Sequence, residues 1–175
     1  MNARPRLVLF ALPLAACLAA LPTTTLAATL KVEESAIVDA PPAAVWKLVG
    51  DFAGLPAWHP AVAATTITQG KNNVPGAVRD IATKDGATII EKLVAYQPAH
   101  RAMTYRIVES PLPVSGYRST LAVLPAGQGS KIVWKSSFRR NPAAAGVDDA
   151  KAREIVTGIY RAGFEGLRAA LSQPR

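Results

Sequence analysis

Apolar residues recur along this chain at two periods. From residue 29 to residue 139 they alternate with polar residues in short runs, the signature of half-buried strands. Seven runs stand out: Thr29–Val38, Val62–Gln69, Ala77–Thr83, Thr88–Tyr96, Met103–Glu109, Gly116–Leu124 and Lys131–Arg139. Turn-forming stretches (GKNNVPG, KDG, QPAHR, SPLP, PAGQG) separate the last six, each short enough to join antiparallel neighbours. After Asp148 the spacing changes to three and four, which predicts a long amphipathic helix running to Ser172. Two shorter helical segments, Pro42–Val49 and Phe52–Trp58, interrupt the strands after the first; Asp39 is the expected cap of the former, and His59-Pro60 ends the latter.

Charge fixes the register of one hairpin. A two-residue turn at Asp85-Gly86 would set Asp80 opposite Glu91 and Arg79 opposite Lys92, and like charges directly opposite are unfavourable. A three-residue loop, Lys84-Asp85-Gly86, sets Arg79 against Glu91 instead. It gathers Arg79, Ile81, Ile89, Glu91 and Leu93 on one face. In the last two strands Tyr117, Ser119, Leu121 and Val123 share a face, as do Ile132, Trp134, Ser136 and Phe138. The terminal helix, capped by Asp148, presents the stripe Ile155, Ile159, Gly163, Leu167 and Leu171, flanked by Val156, Tyr160 and Ala170. Arg153, Arg161, Glu165 and Arg168 face water, with Arg161 and Glu165 spaced for an i,i+4 ion pair. Such an arrangement is α+β: a seven-stranded antiparallel sheet curled around a C-terminal helix, with a hollow between them.

The first 27 residues read differently. Arg4 and Arg6 precede the apolar LVLFALPLAACLAAL, and TTTLA supplies small residues, which predicts an export signal cut after Ala27 and a single mature domain over 28–175. Leu14-Ala15-Ala16-Cys17 also resembles a lipoprotein box, so acylation at Cys17 is the alternative. The mature chain should carry no transmembrane segment. With one cysteine, no intramolecular disulfide is expected. The chain is half apolar with a formal net charge of +8. The basic residues are scattered in sequence and no basic run is interleaved with aromatics, so nucleic acid is not an expected partner; an anionic lipid or acidic partner would be attracted.

The candidate chemistry is sparse. Arg79 and Glu91, buried together, could orient the polar head of an apolar ligand or act as acid and base; the same pair can be purely structural. His59, following Trp58 where the second short helix closes the pocket, is a further acid–base candidate. Trp58, Tyr105, Tyr117, Trp134, Phe138 and Tyr160 are the expected lining, and Ser110–Ser115 the expected rim. The two histidines are far apart, with no acidic residues at metal-ligand spacing, no glycine-rich phosphate loop precedes a helix, and there is no GxSxG, so no metal or cofactor is expected.

VWKLVGDFAGLPAWHPAV, the arginine of GAVRD, IIEKLVAY, TYRIVESPLPVSGYRSTLAV, IVWKSSF and the tail helix, in this order and spacing, resemble the polyketide cyclase/dehydrase-like branch of the SRPBCC (START/Bet v 1-like) superfamily, which includes the exported MxaD-like group linked to methanol oxidation. The resemblance runs from about Val32 to Leu171 and implies this same arrangement, the helix-grip fold. The superfamily includes lipid carriers, hormone receptors and aromatase/cyclases. The expected function is an exported protein holding a small apolar or amphipathic ligand; a cofactor-independent cyclase/dehydratase and an accessory protein docking on a periplasmic oxidoreductase are the alternatives.

Overall fold

The computed structural model describes residues 28–173; the expected signal, its cleavage site and Cys17 lie outside the described residues. The elements run β1 (Leu30–Val38), α1 (Pro42–Val49), a single 3-10 turn (Leu55–Ala57), β2 (Val62–Gln69), β3 (Val78–Thr83), β4 (Thr88–Gln97), a second 3-10 turn (Pro98–His100), β5 (Ala102–Glu109), β6 (Val114–Ala126), β7 (Gly129–Arg140) and α2 (Asp149–Ser172). The seven strands form one sheet in the order β1-β7-β6-β5-β4-β3-β2. Every neighbouring pair is antiparallel, so the first strand closes against the last and β2 forms the far edge.

The hairpin between β3 and β4 has the register that charge demanded. Arg79 pairs with Glu91 and Ile81 with Ile89. Thr83 N donates to Ala87 O across the loop, and Gly86 holds φ +89°, a conformation open to glycine at no steric cost. Arg79, Ile81, Glu91 and Leu93 are all buried on the resulting inner face.

Four local expectations need correction. Asp39 does not cap α1: Pro41 is the N-cap residue and Pro42 the first helical residue, which leaves Asp39 too early to reach the free amides. The second helical segment shrinks to the 3-10 turn between Gly54, its N-cap, and Trp58, its C-cap, with His59-Pro60 stopping it. On α2 the buried residues are Ala152, Val156, Tyr160, Gly163, Phe164 and Leu167, while Ile155 and Ile159 are half-exposed. The buried face is thus centred about one residue from the expected stripe, and aromatic Tyr160 and Phe164 lead it. Arg161 likewise ignores Glu165 and forms a two-pronged pair with Glu34 of β1, at 3.2 and 3.0 Å, because β1 lies alongside the helix. The cap at Asp148 is as read: its carboxylate accepts from Lys151 N at 2.7 Å.

Candidate functional site

A cavity of about 550 Å³ lies between the inner face of the sheet and α2. Its walls are mainly aliphatic: Leu55, Val62, Ile81, Ile89, Ile107, Val156 and Ile159. It opens between the β3–β4 hairpin tip (Lys84, Asp85), the Pro111-Leu112-Pro113 rim and Ile155 of α2. This places the SPLP loop at the mouth.

The polar wall is built around Arg79. Its Nε and Nη2 both donate to Glu91 Oε2, at 2.9 and 2.6 Å, and Nη1 donates to the carbonyl of Phe52. The guanidinium lies 4.1 Å over the Phe52 ring and 5.3 Å from that of Tyr105, favourable cation–π placements. Phe52 is itself held by the β2–β3 loop: Asn73 Oδ1 accepts from Phe52 N at 2.8 Å, and Asn72 bridges Ala53 N and Asp51. Burial pushes the Glu91 carboxyl above its usual range while the charge and hydrogen bonds of Arg79 pull it back. Glu91 Oε1 accepts no hydrogen bond from any described residue, although Glu91 lines the cavity.

Beside this pair runs a chain of hydroxyls whose direction can be worked out. Ser119 Oγ donates to Lys135 O at 3.0 Å, so it must accept from Tyr160 Oη at 3.2 Å. Tyr160 has then spent its proton and accepts from Tyr117 Oη at 2.5 Å. Trp134 Nε1 donates to Tyr105 Oη at 2.7 Å and more weakly to Ser119 Oγ at 3.1 Å, while its ring stacks on Tyr160 with centroids 4.3 Å apart. Desolvation raises all three tyrosines, Tyr105 and Tyr117 well above the usual phenol value, so they are neutral donors and acceptors. Tyr105 accepts from Trp134, but its own O–H finds no acceptor among the described residues.

His59 is a strap. Its Nε2 donates to Ile159 O at 3.1 Å and its Nδ1 accepts from Ala61 N at 3.3 Å, so both nitrogens are committed and the ring is neutral. Desolvation lowers its pKa; the Ile159 carbonyl opposes that shift and the Arg79 charge adds to it.

The family profile described as "Polyketide cyclase / dehydrase and lipid transport" matches residues 29–172. The chain belongs to this family. The solved structure of XoxI from Bacillus cereus is 33% identical, covers 81% of this chain and 96% of its own, and superposes with a TM-score of 0.73. An uncharacterised protein from Bacillus thuringiensis is 32% identical, with coverage of 82% and 100% and a TM-score of 0.74. Ara h 8.0201, at 22% identity, 83% and 100% coverage and a TM-score of 0.63, shares the fold. No curated protein matches the chain.

In this family member Arg79, Glu91, Tyr105, Tyr117, Trp134, Tyr160 and His59 all border the cavity. Trp58 and Phe138, expected there, do not. Trp58 is wedged behind His59, 5.6 Å from the Trp134 ring and against Gly163. Phe138 is core, packed 6.0 Å from Tyr117. Ser119, the carbonyl of Phe52 and the Asn72-Asn73 pair were not singled out from sequence. A serine on an aromatic strand face is a usable signal; the asparagines read only as a turn, and nothing local reveals that they hold a distant segment.

Proposed function

We propose that this domain binds a small, mainly apolar molecule through one hydrogen-bonding head group, and that it does so outside the cytoplasm, delivered by residues 1–27. The observation that carries this reading is the contrast between the aliphatic walls and the unused polar atoms on one wall. Glu91 Oε1 and the Tyr105 O–H, an acceptor and a donor, both belong to residues that border the cavity and are unspent within the protein. Both residues line the cavity, so a head group that meets both atoms adds about 0.5–1.5 kcal/mol per hydrogen bond to what its apolar area provides. The volume is in the range of small-molecule sites. His59 has no free nitrogen and Arg79 is tied to Glu91 and Phe52, so the free polar atoms of this wall are those of Glu91 and Tyr105.

The test is a fluorescence titration with 1-naphthol and with naphthalene. Saturable binding is expected for both, with 1-naphthol about tenfold tighter. The Tyr105→Phe, Glu91→Gln double variant should bring the two affinities together. Absence of saturable binding, or equal affinities in the unaltered protein, would contradict the reading.

A further inference from the structure

The basic residues that look scattered in sequence are collected by the strand register onto the outer face of the sheet, the side away from the cavity. Lys92 of β4 pairs directly with Arg106 of β5, Arg106 with Arg118 of β6, Arg118 with Ser137 of β7, and Ser137 with Lys31 of β1. This row crosses five strands, roughly 19 Å at the usual interstrand spacing. Lys131, Lys135 and Arg139 alternate with it on β7 and are exposed. None of these seven cations forms an ion pair with a described residue.

Like charges directly opposite on a sheet destabilise it. Lys92, Arg106 and Arg118 are three in succession. The same chain avoids this conflict at Arg79 and Glu91, so its retention on the outer face asks for a counter-charge from outside. Glu33, Asp80 and Glu109 are the acids of this face or its margins; Asp80 is already hydrogen-bonded by Thr68, and the three leave the face strongly positive.

The apolar content of the face narrows the partner. Ile37 (59% exposed), Leu124 (45%) and Val108 (50%) are three of the four large exposed hydrophobic residues among those described. Ile37 and Leu124 both pair with Lys131, one on each side of it. No aromatic residue is among these outer-face positions and Arg106, Arg118 and Arg139 are exposed, whereas protein interfaces concentrate their energy in buried Trp, Tyr and Arg anchors seated in pockets. Isolated aliphatic side chains set among flexible cations match a lipid interface, where the cations meet head groups and the aliphatic tips enter the acyl boundary.

We propose that the outer face of the sheet docks on an anionic lipid bilayer, with Lys92, Arg106, Arg118 and Lys31 as its electrostatic centre. The docking face and the cavity lining lie on opposite sides of the sheet. The surface is independent of what the cavity holds.

The experiment is vesicle flotation of the purified chain at low salt. Vesicles are either equal parts phosphatidylglycerol and phosphatidylcholine, or phosphatidylcholine alone. Binding is expected to the mixed vesicles, at least tenfold weaker binding to phosphatidylcholine, and release as salt rises. Arg106→Gln, Arg118→Gln should weaken binding about twentyfold while raising thermal stability, because it removes the like-charge contact. Arg153→Gln, Arg168→Gln, on the water face of α2, removes the same net charge and should leave binding within about twofold. Failure of the unaltered protein to tell the two vesicles apart, or equal losses in both double variants, overturns the proposal. Tight capture by soluble polyglutamate without vesicle binding would assign the face to an acidic protein and overturn it as well.

Discussion

Arg79 and Glu91 are each almost wholly removed from water, and each depends on the other for its charge to be tolerable there. Breaking a buried pair leaves one charge uncompensated, whereas removing both leaves none. Arg79→Leu should therefore cost about 3–5 kcal/mol in urea unfolding, and Arg79→Leu, Glu91→Leu should recover most of that loss. A double variant as unstable as the single one would show that the guanidinium's contacts with Phe52, not the charge pair, hold this wall. His59 gives a second handle at this scale. Its folded pKa is depressed, so the unfolded chain takes up the proton first as pH falls. Stability tied to His59 is full above its ordinary value near 6.5 and declines as pH drops below it. Glu91, raised by burial, runs the other way: its share falls as pH climbs out of the ordinary carboxylate range. Chemical denaturation of the protein and of His59→Gln across pH 5–8 separates them. The variant should lack the acid-side decline, and identical profiles would remove His59 from the account.

At the scale of elements, α2 sits where its glycines let it. An added Cβ at Gly163 would lie 2.8 Å from the Trp134 ring, and one at Gly166 would collide with the Trp58 carbonyl and Pro60, while Gly158 has open space around it. Gly158→Ala should thus stabilise the protein by about 0.8–1 kcal/mol through helix propensity alone, and Gly166→Ala should destabilise it by about 1–3 kcal/mol through overpacking. Thermal melts of the two variants should move in opposite directions. Alternation, turn chemistry and the change of period at Asp148 made the strands and the long helix legible in the sequence. The Arg79–Glu91 register was legible too, because the three-residue loop avoids the two like-charge pairs of the two-residue turn. What escaped was set by tertiary contact. The face α2 buries is decided by Trp134 stacking on Tyr160, the partner of Arg161 by the passage of β1, and the seat of Trp58 by the close approach at Gly163. No local pattern encodes these.

For the whole molecule, the two faces of the sheet differ in chemistry. The inner face, with α2, encloses an aliphatic space with a directional polar wall; the outer face carries the uncompensated cations. Family membership is consistent with a binding role of the inner face and leaves its ligand open. Native mass spectrometry of the protein recovered gently from its own host addresses the central claim most directly. The account expects a polypeptide beginning at Ala28 with one non-covalently bound small molecule, lost in Ile107→Trp, which fills the cavity from β5. An empty polypeptide, or a bound mass unchanged by Ile107→Trp, would contradict it.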